Sequence, residues 1–378
     1  MFVVKIVVAV FAVLGALDYI IGGRFGVGRE FENGLMLMGT MMLSMLGMIV
    51  ISPAIAQFLD PVFNFIYDTL HMDPSILTAS LFANDMGGAS LSEAVMRSES
   101  IGMFNALVVS SMMGCTISFT IPFALGLVPQ EKHRSLLLGL LCGIVTIPVG
   151  CFVGGLVCGL APLVILWDLL PLILIAGVIG FGLFKFPETC VKIFAVLGFL
   201  MKTLIIFGLA CGIVYFLTGY ALLPGIAADP EAGTASSWDE GIAICVNAAV
   251  FLAGAFPLVH IVAKLLRRPL RIFGHALRIN ETSALCIVSS LASSSPTFGM
   301  MRLMDERGSV LNSAFAVSGA FVFAGHLAFT VAYDASYVPA MVVGKLVAGV
   351  LALLLAIVVS QRTLAKADKK ESVAPSPT

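Results

Sequence analysis

SILTASLFANDMGGASLSEAVMRSE, residues 75–99, and ETSALCIVSSLASSSPTFGMMRLMDER, residues 281–307, decide how this chain is folded. Each starts apolar, breaks at a polar, glycine- or proline-containing run (Asn84-Asp85-Met86-Gly87-Gly88 and Ser293-Ser294-Ser295-Pro296) and ends in charges. Neither holds the ~20 uninterrupted apolar residues that a helix needs to cross about 30 Å of hydrocarbon. The segments around them do, near 2–21, 34–59, 101–127, 135–158, 160–184, 190–220, 239–263, 309–333 and 336–360. The first block, Phe2 to Ile21, carries Asp18 and lacks a good small-x-small cleavage site, so it reads as a span and not as a signal peptide.

Composition agrees with that reading. Of 378 residues, 59% are hydrophobic and 11% charged, and the mean hydropathy is +1.06. Soluble domains carry roughly 25% charged residues, so a soluble globule is excluded and a polytopic membrane protein expected. The 21 basic and 22 acidic residues leave a net charge of -1, with no basic field for a nucleic acid. The 8 cysteines form no CxxC pair, and Cys115, Cys142, Cys151, Cys211, Cys245 and Cys286 lie within apolar runs, as small hydrophobes do. Neither a metal site nor a disulfide is expected. Phosphate loops, HExxH, GxSxG and nucleophile-base signatures are missing from the sequence, which disfavours an ATP-driven pump or an intramembrane hydrolase. The reading is of a protein that is not an enzyme and needs no cofactor.

Charge orients the spans. Lys264, Arg267, Arg268, Arg271 and Arg278 fill the segment 264–278, and Arg362, Lys366, Lys369 and Lys370 the tail, so both are expected in the cytoplasm. The stretch 221–238, with Asp229 and Glu231, and the turn at Asp334 carry no Lys or Arg and belong outside. Residues 281–300 then lie between two cytoplasmic segments and must enter and leave by one face, as a re-entrant hairpin. Threading backward makes 75–99 a second hairpin, entering from outside, and puts the N-terminus outside. Arg97 and Lys5 dissent from the charge rule, with Arg97 offset by Glu93 and Glu99.

About 100 residues recur at an offset of 207 to 209. FENGLMLMG at Phe31 resembles WDEGIAICV at Trp238, FANDMGG at Phe82 aligns with LASSSPT at Leu291, and FNALVVSSMMG with LNSAFAVSGAF, which pairs Asn105 with Asn312 and Ser111 with Ser318. The fold class expected is therefore an all-α polytopic membrane protein of about nine spanning helices plus two re-entrant hairpins in inverted repeats. Repeat one covers 1–158, a connecting span 160–184, repeat two 190–360, and 361–378 form a disordered cytoplasmic tail. If both hairpins crossed the bilayer instead, eleven spans and parallel repeats would result. Inverted repeats with broken helices mark alternating-access transporters.

Irregular backbone at membrane depth is tolerated only where protein or a water-filled cavity satisfies it, so the two breaks are the first places to look for a site. Asn84 and Asp85 from one, and Ser293, Ser294 and Ser295 from the other, would line one cavity, joined by Asn105, Ser111, Asn312, Ser318 and His326 from the following spans. The two breaks themselves present one acid, several hydroxyls and amides, and no base. A carboxylate taken out of water wants a cation, and a protonated amine serves. The plainer alternatives are that Asp85 and Ser295 cap half-helices, that the Ser and Asn residues glue helices together, and that His326 makes a helix-helix hydrogen bond. Asp168 and Lys202 read as structural, pairing with one another or with Asp18 to hold the bundle together, and Lys345 is left undecided between snorkelling and pairing. Tyr67, Tyr220, Tyr333, Tyr337 and Trp238 fall near the membrane interfaces, so a primary amine fits better than a quaternary one.

At DMGG (Asp85 to Gly88), SSMMG (Ser110 to Gly114), GIVTIPVGC (Gly143 to Cys151), FGMMRLMDERG (Phe298 to Gly308), NSAFAVSGAF (Asn312 to Phe321) and GHLAF (Gly325 to Phe329), the chain resembles the ethanolamine permease family of ethanolamine-utilisation operons, EutH-like. The likeness runs over nearly the whole chain up to the tail. It implies a bacterial inner-membrane permease that imports ethanolamine, or a closely related small amino alcohol, as a carbon and nitrogen source, with the cation-binding role falling on Asp85. Two departures stand out: family relatives carry asparagines where this chain has Ser293 and Ser294, and an acid before the histidine where it has Gly325. The expected partners are the small-molecule amine and the lipid bilayer, with a homo-oligomer left open. A passive channel for neutral small amines is the alternative function.

Overall fold

The computed structural model describes residues 2–228 and 235–371. Asp229 and Glu231 of the acidic stretch and residues 372–378 of the tail lie outside the described residues, as do the side chains of Arg267, Arg268, Arg271, Arg362, Lys366, Lys369 and Lys370.

Fifteen helices, with short 3-10 turns at Asn84–Met86, Met301–Leu303 and Ala335–Tyr337, make up the described residues, which contain no strand. They are α1 (Phe2–Ile20), α2 (Val27–Leu70), α3 (Ser75–Leu81), α4 (Gly88–Val95), α5 (Glu99–Leu127), α6 (Gln130–Val157), α7 (Pro162–Asp168), α8 (Leu170–Lys185), α9 (Pro187–Thr218), α10 (Ser237–Leu277), α11 (Glu281–Ser290), α12 (Ser295–Gly299), α13 (Glu306–Ser318), α14 (Gly325–Asp334) and α15 (Val338–Glu371). By length and composition, α2, α5, α6, α9, the Ser237–Val262 part of α10 and the run from Gly325 to Gln361 are able to cross a membrane, which makes six among the described residues, or seven if α7 and α8, bent by 45°, count as one span. The outward face is apolar: Phe58, Leu163, Phe184 and Leu217 are each at least 73% exposed. An apolar exterior around a polar interior is what a multi-pass membrane protein presents to lipid.

The expectation of nine spans meets two differences. The span expected at 309–333 is interrupted, because α13 stops at Ser318 and α14 starts only at Gly325. The basic segment 264–278, read as a loop from its charge, continues α10 as helix to Leu277, since Lys and Arg are good helix formers and water solvates them outside an apolar layer.

Small residues set the packing. Lipid tails are as apolar as Leu, so helices associate through close van der Waals contact and not through exclusion of water. Along α6, a Cβ on Gly139 would lie 2.4 Å from the Val310 carbonyl oxygen, and one on Gly150 would lie 2.6 Å from that of Gly344, so these positions let α13 and α15 approach backbone to backbone. Ile144, Ile147, Met112, Val317 and Met341 fill the core between them.

Helices α3 and α4 form one helix-break-helix segment whose two ends meet. Asp73, only 5% exposed, accepts hydrogen bonds from the backbone N–H groups of Ser75 (3.0 Å) at the start and of Arg97 (2.9 Å) and Ser98 (2.8 Å) at the exit. The segment made by α11 and α12 is closed in the same way: Asp305 accepts from the Asn280 N–H (3.0 Å) and the Ser283 hydroxyl (3.0 Å), and Asn280 Nδ2 donates to the Leu303 carbonyl (2.9 Å). Inside each, hydroxyls join the two arms at 2.8 Å, Thr78 to Ser92 and Ser290 to Thr297. Arg97 is neutralised by Asp60 (2.6 Å) and hydrogen-bonds Asn64 (2.8 Å), partners 33 or more residues away in place of the neighbouring Glu93 and Glu99.

Candidate functional site

In the first break, Phe82 and Ala83 are extended, and Gly87 turns the chain into α4 at φ 87°, a left-handed conformation that glycine adopts without steric cost. The approach is also close, since a Cβ on Gly87 would fall 1.9 Å from Met48 Cγ. The Phe82 carbonyl lies against α5, 2.0 Å from where a Cβ on Gly114 would be, and the Ala83 N–H donates to Ser118 Oγ (3.1 Å). Around that contact α5 is π-helical, over Asn105–Gly114 and Thr116–Thr120. Such widened turns are frequent at functional sites.

The second break packs on the unwound residues between α13 and α14. The Phe321 N–H donates to the Ser290 carbonyl (3.0 Å), and the Phe323 N–H donates to that of Leu291 (2.9 Å). These two bonds satisfy backbone groups that would otherwise be orphaned in the interior. Two residues after Phe323, α14 begins and carries Gly325 and His326 to the first break. His326 Nε2 stands 3.8 Å from Asp85 Oδ1, longer than a direct hydrogen bond. The unwound stretch thus touches the second break, and the helix it leads into, α14, touches the first.

The polar atoms here are underused. Both side-chain atoms of Asn84, together with Ser294 Oγ, Ser318 Oγ and His326 Nδ1, are buried without a hydrogen-bond partner. Buried polar groups are normally paired, so such a group asks for an explanation, and a polar ligand is one. The Asp85 side chain stays 31% exposed while Asn84, Ala324 and His326 around it are at most 1% exposed, so its carboxylate faces internal space. It does not cap α4, whose N-cap is Gly87 with no side-chain hydrogen bond.

The remaining expected site residues are spread around this centre. Asn105 Nδ2 donates to Ser75 Oγ (3.0 Å) and Asp168 Oδ1 (3.3 Å), and Asn312 Nδ2 donates to the Ser283 carbonyl (2.9 Å), so each asparagine ties a span to the first turn of the adjacent break segment, leaving its Oδ1 unpaired. Ser111 Oγ bonds its own helix at the Val108 carbonyl (2.8 Å). Ser293 Oγ accepts the Ser295 N–H (3.3 Å), which makes Ser293, and not Ser295, the residue that braces the start of α12. Asp168 is held by Asn105, Asp18 accepts the backbone N–H groups of Phe25 and Gly28, and Lys202 is exposed on α9, so the pairing expected among these three is not formed.

Two recesses reach inward. One of about 390 Å³ runs past Glu30 and His260 to Ser289, Ser293 and Pro296 of the second break. The other, about 460 Å³, is lined by Glu93, Glu240, Asn247 and Tyr333, with Ser52 and Ser90 deeper in. Sequence reasoning left Lys345 undecided, yet it is 1% exposed and its Nζ donates to the Ser111 carbonyl (2.6 Å), within electrostatic reach of Asp85. Phe321 was missed. It holds φ 62°, a conformation that costs a bulky residue about 1 kcal/mol or more, and its ring contacts Phe119 (5.7 Å, edge-on) and His326 (5.2 Å). The signal available in the sequence was the pair Gly319 and Gly325 bracketing an otherwise apolar span.

A multi-pass helical bundle whose interior is polar, partly unwound and reached by recesses is built as a membrane transport protein. The chain matches the model of the family described as "Ethanolamine utilisation protein, EutH" over residues 2–359, and it belongs to that family. It is 42% identical over 365 residues to a Listeria monocytogenes (serotype 1/2a, strain 10403S) protein named "Probable ethanolamine permease EutH", covering 97% of this chain and 95% of that one. It is 35% identical over 405 residues to the protein of the same name from Escherichia coli K12 (99% of each chain), and 35% identical over 373 residues to "Uncharacterized protein YxeR" of Bacillus subtilis 168 (99% and 98%). No solved structure matches the chain. The Listeria and Escherichia relatives are named as probable permeases, and the family is one of transporters.

Proposed function

We propose that this chain imports ethanolamine, or a closely related small amino alcohol, in its ammonium form across the bacterial inner membrane by alternating access. The observation that carries the proposal is the Asp85 carboxylate, which faces internal space at a helix break, beside the helix that follows the unwound stretch packed on the second break. The substrate nitrogen faces Asp85, and its hydroxyl faces Asn84, Ser294 or His326, whose polar atoms lack partners.

In this reading the segments 75–99 and 281–307 re-enter the membrane from opposite faces and belong to two inverted repeats, with the C-terminus in the cytoplasm and the N-terminus outside. Supporting it are the ties at equivalent repeat positions, Asn105 to Ser75 and Asn312 to Ser283, and the grouping of Lys132, Met304 and Glu306 at one end of the bundle through the Lys132 ammonium (2.9 Å to the Met304 carbonyl, 2.6 Å to Glu306). The two recesses are the routes from either face.

Labelled ethanolamine uptake in cells lacking their own permease tests the proposal. A primary amine with a Lys-like pKa is neutral to about 0.1% or less at pH 7, and that fraction falls tenfold per pH unit. Carried as ammonium, ethanolamine enters saturably and at a similar rate at pH 7 and pH 6. A passive channel for the neutral amine gives non-saturating uptake that drops about tenfold over that unit, and uptake equal to vector rejects the substrate.

Lys345 shares the sign of the substrate and acts on Asp85 from within the bundle. Removing that charge in Lys345→Met should favour ammonium binding by on the order of 1 kcal/mol, read as an approximately fivefold fall in the half-saturating ethanolamine concentration. An unchanged or raised value would show that Lys345 serves only to satisfy the Ser111 carbonyl.

A further inference from the structure

Asp85, Phe321 and Gly325 border one space. A Cβ built on Gly325 would stand 3.7 Å from Asp85 Oδ2 and 3.9 Å from Phe321 Cδ1, with no closer neighbour. Both are ordinary contact distances, so the missing side chain leaves room for about one methyl group between the carboxylate and the ring. All three residues keep accessible surface, whereas Ala324 and His326, on either side of Gly325, are buried. Phe321 is fixed there by its N–H bond to the Ser290 carbonyl (3.0 Å) and by ring contacts to Phe119 and His326.

We propose that Gly325 sets how much bulk the site accepts at the substrate nitrogen, and that the site takes N-monoalkylated amino alcohols, of which N-methylethanolamine is the simplest, alongside the primary amine. This rests on the reading of Asp85 as the ammonium site. An ammonium between Asp85 and the Phe321 ring is held by charge on one side and packs against the ring on the other. A monomethylated nitrogen keeps two N–H donors for Asp85 and its surroundings and puts its methyl in the space beside Gly325. A trimethylated nitrogen keeps no donor and needs room for three methyls.

Displacement of labelled ethanolamine from the purified full chain in lipid nanodiscs, by ethanolamine, N-methylethanolamine and choline, tests the inference on wild type, Gly325→Ala and Gly325→Ser. Gly325 has no left-handed φ, so both substitutions suit its backbone, and a thermal melt of each variant checks folding. In the wild type, N-methylethanolamine should displace within about threefold of ethanolamine, and choline far more weakly. Filling the space should change the ratio of N-methylethanolamine to ethanolamine affinity at least tenfold against the methylated amine, the discrimination that one methyl's worth of pocket supplies. A ratio unchanged in folded Gly325→Ala and Gly325→Ser, with ethanolamine still bound, overturns the role of Gly325 and leaves the ammonium site standing. Failure of the wild type to bind ethanolamine at all overturns the proposed function, and this inference with it.

Discussion

Asp85→Asn should abolish saturable ethanolamine uptake while leaving the amount of protein in the membrane near that of wild type. Asparagine keeps the shape and two polar atoms but removes the charge that faces the internal space beside His326. Truncating one member of a desolvated charge pair typically costs 2–5 kcal/mol or more, so the half-saturating concentration should rise by roughly a hundredfold or beyond the measurable range. Folding should be spared because Asp85 caps no helix; the N-cap of α4 is Gly87. Asp85→Glu keeps the charge on a longer arm and should retain part of the activity. Uptake by Asp85→Asn equal to wild type at matched expression would remove Asp85 from the site.

The second large effect is structural. Asp73→Ala takes the acceptor from three backbone N–H groups at once, those of Ser75, Arg97 and Ser98. A buried donor left without a partner costs about 1–3 kcal/mol; the Ser75 N–H is buried and those of Arg97 and Ser98 are partly buried, so the loss is on the order of 3 kcal/mol. The two ends of the α3–α4 segment would no longer be held together, and the break that carries Asn84 and Asp85 would lose its fixed position. A melting temperature in detergent several degrees below wild type, with transport lost, is expected, whereas Asp73→Asn, which keeps one carbonyl acceptor, should fall between. A melting temperature equal to wild type in Asp73→Ala would mean that the segment is held elsewhere.

Much of this arrangement could be read from residue order, and the parts that could not share a physical reason. The breaks announce themselves because Asn84, Asp85, Gly87 and Gly88, or Ser293 to Pro296, interrupt apolar runs, and the structural breaks, 82–87 and 291–294, overlap those residues. The internal likeness paired Asn105 with Asn312, and each ties its helix to an equivalent serine. By contrast, the stretch between Ser318 and Gly325 is Gly-Ala-Phe-Val-Phe-Ala, apolar and compatible with a helix. It unwinds because its backbone N–H groups bond the carbonyls of the second break, a tertiary cause with no local signature. The π-helical turns of α5 are hidden likewise, since no residue preference separates them from α-helix. Lys345 could not be assigned because its partner, the Ser111 carbonyl, is 234 residues away and any residue type could have supplied it.

Counterflow in proteoliposomes tests the central claim most directly. Vesicles holding the purified chain, loaded with unlabelled ethanolamine at pH 6 and diluted into trace labelled ethanolamine, should take up label transiently above its equilibrium level and several-fold faster than unloaded vesicles. A site that faces one side at a time returns occupied by exchange, and at that pH only about one molecule in ten thousand is neutral and able to leak. Label that enters no faster into loaded than into unloaded vesicles, without overshoot, would contradict a carrier for the ammonium form.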